Sequence, residues 1–208
     1  MAWVLGLLHS SASLSGTTAA VRWEAADVEV VEKVRACLES THPISVRRNP
    51  INKLLTYHCL TIARQWLRAG IDTHVPVRLQ AERTQVPDVP ADLFRHFARG
   101  YSEGSGSMSF LEQNSVGLQI RFTGHTALLA DLRERLRLAG LEVPGSMYRA
   151  SQVKDTSMMV FTSRRGFRLA EFLYRDAPAS LSVDRRRANY LRALEWRTSR
   201  GLEVADVG

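Results

Sequence analysis

The chain of 208 residues is 45% hydrophobic and 24% charged, enough apolar material for a full core in one domain or in two closely packed halves. Its net charge of +7 and pI near 10.0 point to a polyanionic partner, and the basic excess is almost all arginine, with lysine only at Lys33, Lys53 and Lys154. No apolar run approaches the roughly 20 residues needed to span a bilayer, and Cys37 and Cys59 are too few for a secreted disulfide framework, so no membrane contact and a cytoplasmic, nucleoid-associated location are expected.

The first element is "MAWVLGLLHSSASLSG" (1–16), whose apolar run is of signal-peptide length but lacks a basic flank. It reads instead as a helix, with Gly6 and Ser10 four residues apart on one face. "AAVRWEAAD" (19–27) is a strand leading into a helix start, in which Val21 and Trp23 face the core and Arg22 faces outward. "VEVVEKVRACLES" (28–40) has helical spacing, "ISVRR" and "LLTYHCLT" within 43–61 are β-type runs, and "IARQWLRAG" (62–70) predicts a helix. After a proline-marked stretch comes "FARGYSEGSGSMSF" (97–110), a helical segment with Gly100 and Gly104 on one face. "LQIRFTGHT" (118–126) is a strand with Ile120 and Phe122 inward and Arg121 outward, followed by a helix in "LLADLRERLRLAG" (128–140). "SMYRA" and "SMMVFTS" within 143–163 are β-type runs, and "GFRLAEFLYRDA" (166–177) is a helix. The chain then carries a basic amphipathic helix, "DRRRANYLRALEWRTSR" (184–200), with Ala188, Leu191, Leu194 and Trp196 on one side. That helix suits either a clamp on a flanking nucleic-acid backbone or a cap on the core.

These elements repeat. "VLGLLHSSAS" (4–13) sets over "ARGYSEGSGS" (98–107) with Gly6 on Gly100, Ser10 on Gly104 and Ser11 on Ser105, and the strand and helix that follow also correspond. The order in each half is helix, strand pair, helix, strand pair, helix, a duplicated unit of about 95 residues. Two repeats, 1–92 and 93–208, are expected to pack about a pseudo-two-fold axis, giving a monomer with an internal pseudo-dimer. Small residues four apart let two helix backbones approach closely, so Gly6, Ser10, Gly100 and Gly104 are the expected helix interface.

Both small-residue stretches resemble the signature of the LAGLIDADG homing endonucleases, in the single-chain type with two motif copies. The resemblance extends through "GIDTHVPVRLQAERTQVPDVPADLFRHFARGYSEGSGS" and "RLAEFLYRDAPASLSVDRRRANY", so it covers nearly the whole chain. It implies a mixed α+β fold of two αββαββα repeats, with the motif helices paired at the centre and a saddle of antiparallel sheets seated in the major groove of DNA. In active members the second acid of each motif holds a divalent metal, and those positions are Ser11 and Ser105 here. The first acidic position is His9 in one copy and Glu103 in the other, while the terminal glycine is Gly106 in the second copy and Ala12 in the first.

A neutral hydroxyl cannot supply the anionic oxygens that a phosphodiester-cleaving metal requires. Glu103, two residues before Ser105, points about 200° away around the helix. Histidines 9, 42, 58, 74, 96 and 125 fit no zinc spacing and read as surface or helix-end residues, and neither a GxSxG elbow nor a phosphate loop is present. No catalytic residues, metal or cofactor are therefore expected.

The residues expected to contact double-stranded DNA are Arg22, Arg47, Arg48, Lys53, Arg78, Arg83, Gln119, Arg121, Arg149, Lys154, Arg164 and Arg165, in or beside strands and turns. Arginine suits guanine edges and lysine suits phosphates. The leading expectation is a sequence-specific DNA-binding protein, regulatory in role, that has lost its nuclease acids. Bacterial sporulation and division regulators with a degenerate domain of this kind offer a partial analogy, for they add a helix-turn-helix module that is not evident here. Two alternatives remain open from the sequence: an RNA-binding protein like the intron maturases, and a homing endonuclease with residual activity.

Overall fold

A computed structural model of the chain describes residues 1–15, 20–49, 52, 55–63, 83–111, 117–150 and 155–201. Its centre is a pair of helices brought together by glycine. Helix α1 (Ala2–Ser11) lies against α3 (Ala91–Ser105) along its length. A Cβ built on Gly6 would sit 2.1 Å from Phe97 O, and one on Gly100 would sit 2.0 Å from Trp3 O. Only a residue without a side chain permits backbones this close. Gly104 makes the third contact, since a Cβ there would lie 1.8 Å from Ser10 Oγ. All four expected interface residues therefore meet at this seam. Trp3, Val4, Leu5, Leu7 and Leu8 are all buried, which is how a helix apolar on every side is accommodated.

Each central helix runs into a four-stranded antiparallel sheet. The first contains β1 (Ser13–Ser15), β2 (Ala20–Ala25), β3 (Ile44–Arg48) and β4 (Thr56–Ala63) in the order β1-β2-β4-β3. The second contains β5 (Ser107–Leu111), β6 (Gly117–His125), β7 (Tyr148–Arg149) and β8 (Thr156–Thr162) in the matching order β5-β6-β8-β7. Helix α2 (Val28–Cys37) follows β2 and starts at Asp27, whose side chain accepts from Glu29 N at 3.3 Å. Helix α4 (Thr126–Leu138) follows β6 and starts at His125, which accepts from Ala127 N at 3.2 Å. A side-chain acceptor at the end of the strand or two residues beyond it thus starts a helix at the corresponding place in both halves. The fold is mixed α+β, and the second half shows the complete order α3-β5-β6-α4-β7-β8-α5, with α5 at Ser163–Tyr174. The expected boundary between residues 92 and 93 falls in the first turn of α3.

Three sequence readings need amendment. Ile62 and Ala63, assigned to a helix over 62–70, are the last residues of β4, and 64–70 lie outside the described residues. Helix α6 (Asp184–Ser199) buries Arg186, Tyr190 and Ala193, whereas Ala188 and Leu191 are exposed. The polar Arg186 is inside because it has carbonyl partners there, which periodicity cannot anticipate. His9 is at a helix end, in the last turn of α1, but buried in the core rather than exposed, edge-on to Phe97 with ring centroids 5.6 Å apart.

The two halves are also joined away from the central helices. Lys33 on α2 donates to Ala179 O and Ser182 O at 3.0 and 2.6 Å, and pairs with Asp184 at 2.8 Å and with Glu29. An α2 side chain thereby ties down the segment that enters α6.

Candidate nucleic-acid interface

The pleat decides which strand residues can share a surface. In β2, Val21 and Trp23 are buried, so Arg22 and Glu24 project from the other face. Pairing then places Thr61 beside Arg22, Cys59 beside Glu24, Ser45 beside Cys59, and Arg47 beside Tyr57 on this outer face. In β6, Leu118, Ile120 and Phe122 are buried, and Gln119, Arg121 and Thr123 project outward. Val160 pairs with Arg121, Met158 with Thr123, and Tyr148 with Met158. Arg22 and Arg121 occupy the same place in their two sheets.

The register brings together only part of the expected contact set. Arg22, Arg47, Gln119 and Arg121 lie on the outer faces. Arg48 follows Arg47 by one residue and projects to the opposite face, as does Arg149 after Tyr148. A two-residue strand such as β7 has no period from which its facing could be read. Arg164 and Arg165 closely follow the end of β8, in the first turn of α5; Arg165 donates to Glu142 at 2.7 Å and borders the outer face of the second sheet. Lys53, Arg78 and Lys154 lie outside the described residues. Glu24 is an acid within this basic face, receiving Cys59 Sγ at 3.2 Å and Arg47 at 3.7 Å. Burial, with Glu24 alongside, pushes the Cys59 thiol up to about 11, so it stays protonated.

Arg83 is a clear correction, for it is buried and cannot reach a groove. Its guanidinium donates to Leu8 O and, at 2.9 Å, to Ala12 O, closing the C-terminal end of α1. Arg186 does the same for α3, donating to Ser102 O at 2.8 Å, Glu103 O at 3.1 Å and Gly106 O at 2.7 Å. The last carbonyls of a helix have at most a capping N–H as intrahelical partner, as Leu8 O has Ala12 N and Ser102 O has Gly106 N, and they carry partial negative charge, so a buried guanidinium beside them supplies both a donor and a countercharge. Burial lowers the pKa of both arginines from the usual value, yet a guanidinium remains charged in proteins. Nothing in the sequence around either residue marks this role.

Ser11 and Ser105 stand at these same helix ends. Ser11 Oγ donates back to Leu7 O at 3.0 Å, and Ser105 Oγ donates to Thr123 O at 2.8 Å. Glu103 is buried and committed elsewhere. It accepts from Trp3 Nε1 at 2.6 Å, Tyr174 OH at 2.9 Å and Val183 N at 3.1 Å. Burial pushes its carboxyl above the usual range, against the opposing pull of the Trp3 and Val183 hydrogen bonds and the nearby Arg186. Among the described residues no group of three His, Cys, Asp or Glu side chains is placed to hold a metal. A divalent cation would meet two hydroxyls already directed at carbonyls and two fixed guanidinium groups. The residues at the helix ends do not fit the metal that the resemblance implies.

A scan against protein-family models finds no match to the chain, and a search of curated proteins finds none either. Solved structures do match. The I-LtrWI LAGLIDADG homing endonuclease bound to target DNA aligns over 96% of this chain and 90% of its own, with a TM-score of 0.54 and 12% identity. The N-terminal LAGLIDADG domain of DUF199/WhiA aligns over 86% of this chain and 82% of its own, with a TM-score of 0.55 and 13% identity. The chain therefore has the LAGLIDADG fold, in two copies. Full-length DUF199/WhiA from Thermatoga maritima shares it over 99% of this chain, with a TM-score of 0.62 and 13% identity; the match spans 61% of that protein's length. Among the described residues no helix is long and apolar enough to cross a membrane.

Proposed function

We propose that the protein binds double-stranded DNA sequence-specifically, through the outer faces of its two sheets, and has no nuclease activity of its own. The observation that carries this reading is the pair of matched arginines, Arg22 and Arg121, projecting from equivalent positions of two sheets joined at the Gly6–Gly100 seam. Two such faces suit successive major-groove segments of one duplex, a site of about two helical turns. Arginine can bond the O6 and N7 edge of guanine bidentately. Because Glu24 stands where the second sheet has Thr123, the two half-sites are only loosely palindromic. The protein acts as a monomer, since both faces belong to one chain, and its role is regulatory.

Cleavage is excluded from the proposal by the helix ends, where serine replaces both metal-holding acids and arginine occupies the carbonyls. The test is a selection from random duplex DNA, followed by incubation of the selected duplex with the protein in Mg²⁺ and in Mn²⁺. One enriched sequence, a footprint of about two turns and an intact duplex are expected. Failure to enrich any sequence would overturn the binding proposal, and site-specific strand breaks would overturn the loss of cleavage.

A further inference from the structure

The outer faces of the two sheets differ in chemistry at matched positions. In the first sheet the row across β2, β4 and β3 is Glu24, Cys59 and Ser45, with Thr61 beside Arg22. In the second sheet the same row is Thr123, Met158 and Tyr148, with Val160 beside Arg121. Where the first sheet presents the Glu24 carboxylate and the Ser45 and Thr61 hydroxyls, with the Cys59 thiol buried between them, the second presents, beside the Thr123 hydroxyl, a thioether, a phenol ring and a branched alkyl group. Met158, Tyr148 and Val160 line a depression of about 500 Å³ that also takes in Gln119 and Arg165. Met158 and Val160 are half-buried in its floor, and Tyr148 is 57% exposed at its wall.

An apolar floor inside a cationic surface selects among partners. A nonpolar protein segment would gain nothing from Arg121, and a bare phosphate backbone would gain nothing from Val160 and Met158. The major-groove edge of duplex DNA offers both anionic surroundings and one apolar group, the C5 methyl of thymine. We infer that the second sheet reads thymine methyl groups with Val160, Met158 and Tyr148, next to a guanine read by Arg121, whereas the matched row of the first sheet, Glu24, Cys59 and Ser45, reads none. This rests on the proposed binding of duplex DNA, and it assigns the asymmetry of the site to particular side chains. Gln119 stands one row beyond Arg121 and pairs with Thr162, where it can meet an adenine edge.

Deoxyuridine removes the methyl and leaves the hydrogen-bonding edge of thymine unchanged, so it isolates the contact. Thymines of the selected duplex are replaced in one half-site at a time, and the half-site under the second sheet is identified as the one whose preference Arg121→Ala relaxes. Replacement there should weaken binding about fourfold for each buried methyl lost, with a clearly smaller change on replacement in the other half-site. Met158→Gln keeps side-chain length on a solvent-facing position, and Val160→Thr keeps shape. Each variant, with melting unchanged, should bind the thymine duplex more weakly and distinguish deoxyuridine less than the parent does. Equal binding of both substituted duplexes, or equal weakening in both half-sites, would overturn this inference while leaving sequence-specific DNA binding in place. A protein that enriches no duplex would overturn both.

Discussion

Replacing Gly100 by alanine tests the central packing most sharply, because two effects of opposite sign compete there. On an exposed helix the change stabilises by about 1 kcal/mol, since alanine is the better helix former. Here the added methyl carbon would lie 2.0 Å from Trp3 O, 2.9 Å from Trp3 C and 3.1 Å from Leu7 N, all backbone atoms of α1. Ordinary carbon contacts begin near 3.4 Å, so the helices would have to separate by more than an ångström. Separation breaks contacts along the whole seam, including the one at Gly6. Overpacking of this kind costs about 1–3 kcal/mol where side chains can yield, and backbone cannot yield, so about 3 kcal/mol or more is expected after the helix gain is subtracted. In urea the unfolding midpoint should fall by about 1 M or more. Gly145→Ala, with no heavy atom within 4 Å of its added carbon, is the control and should stay within about 0.5 kcal/mol of the parent. Gly6→Ala combined with Gly100→Ala should cost less than the sum of the two, because the first substitution already parts the helices. A Gly100→Ala protein that unfolds at the parent's urea concentration or above it would refute the close contact.

Arg186→Met should destabilise by about 3 kcal/mol, read from denaturant unfolding, because three carbonyls at the end of α3 lose a charged donor. Glu103→Ala should cost about 3–5 kcal/mol by the same measurement, since Trp3 Nε1, Tyr174 OH and Val183 N all lose their acceptor. Because the folded carboxyl of Glu103 titrates above its unfolded value of 4.5, its stabilising effect is complete below that pH and declines as pH rises through the folded pKa. The difference in unfolding free energy between the parent and Glu103→Gln should therefore change with pH in that window, and a flat difference would contradict the raised pKa. Arg22→Ala and Arg121→Ala should each weaken binding to the selected duplex by about 1–3 kcal/mol and relax one position in opposite half-sites, measured by repeating the selection. Equal losses on every sequence would place these arginines on phosphates instead.

The architecture was legible because it is written twice. A single Gly-x-x-x-Gly is weak, but Gly6/Ser10 and Gly100/Gly104, each followed by apolar–Arg–aromatic and then a helix, constrain one another. The alternation that put Arg22 and Arg121 outward is likewise a two-residue period along strands of six and nine residues. Where strands are short or lie at an edge, that period gives out, and it does not separate Arg48 and Arg149, on the opposite face, from Arg47. The buried arginines were beyond reach for a different reason. A sequence displays charge but not which buried carbonyls it will meet, so Arg83 reads like any other arginine in or beside strands and turns. Arg186, inside "DRRRANY", was indistinguishable from Arg185 and Arg187, which lie outside the buried face.

The two central helices end alike although their caps come from unrelated parts of the chain. Arg83 arrives from the segment before α3, and Arg186 from the helix after α5. A feature reached twice from different positions reflects a demand of the site, and the demand is electrostatic. Two parallel seams of carbonyls finish side by side where Gly104 meets Ser10 and Ser11, concentrating the negative ends of both helix dipoles in one place. Some cation must answer that field. In an arrangement with carboxylates at the same positions a divalent ion can do so, and the helix ends then depend on a diffusible ligand. With serine at 11 and 105 the local negative charge is smaller, and a guanidinium fixed to the chain meets it at each end. Restoring an acid at either position would place it beside a helix end already bonded to arginine, where ion pairing competes with metal for the new carboxylate. The substitutions at the serines and the placement of the arginines thus form one arrangement, which is why the proposed loss of cleavage rests on four residues rather than two.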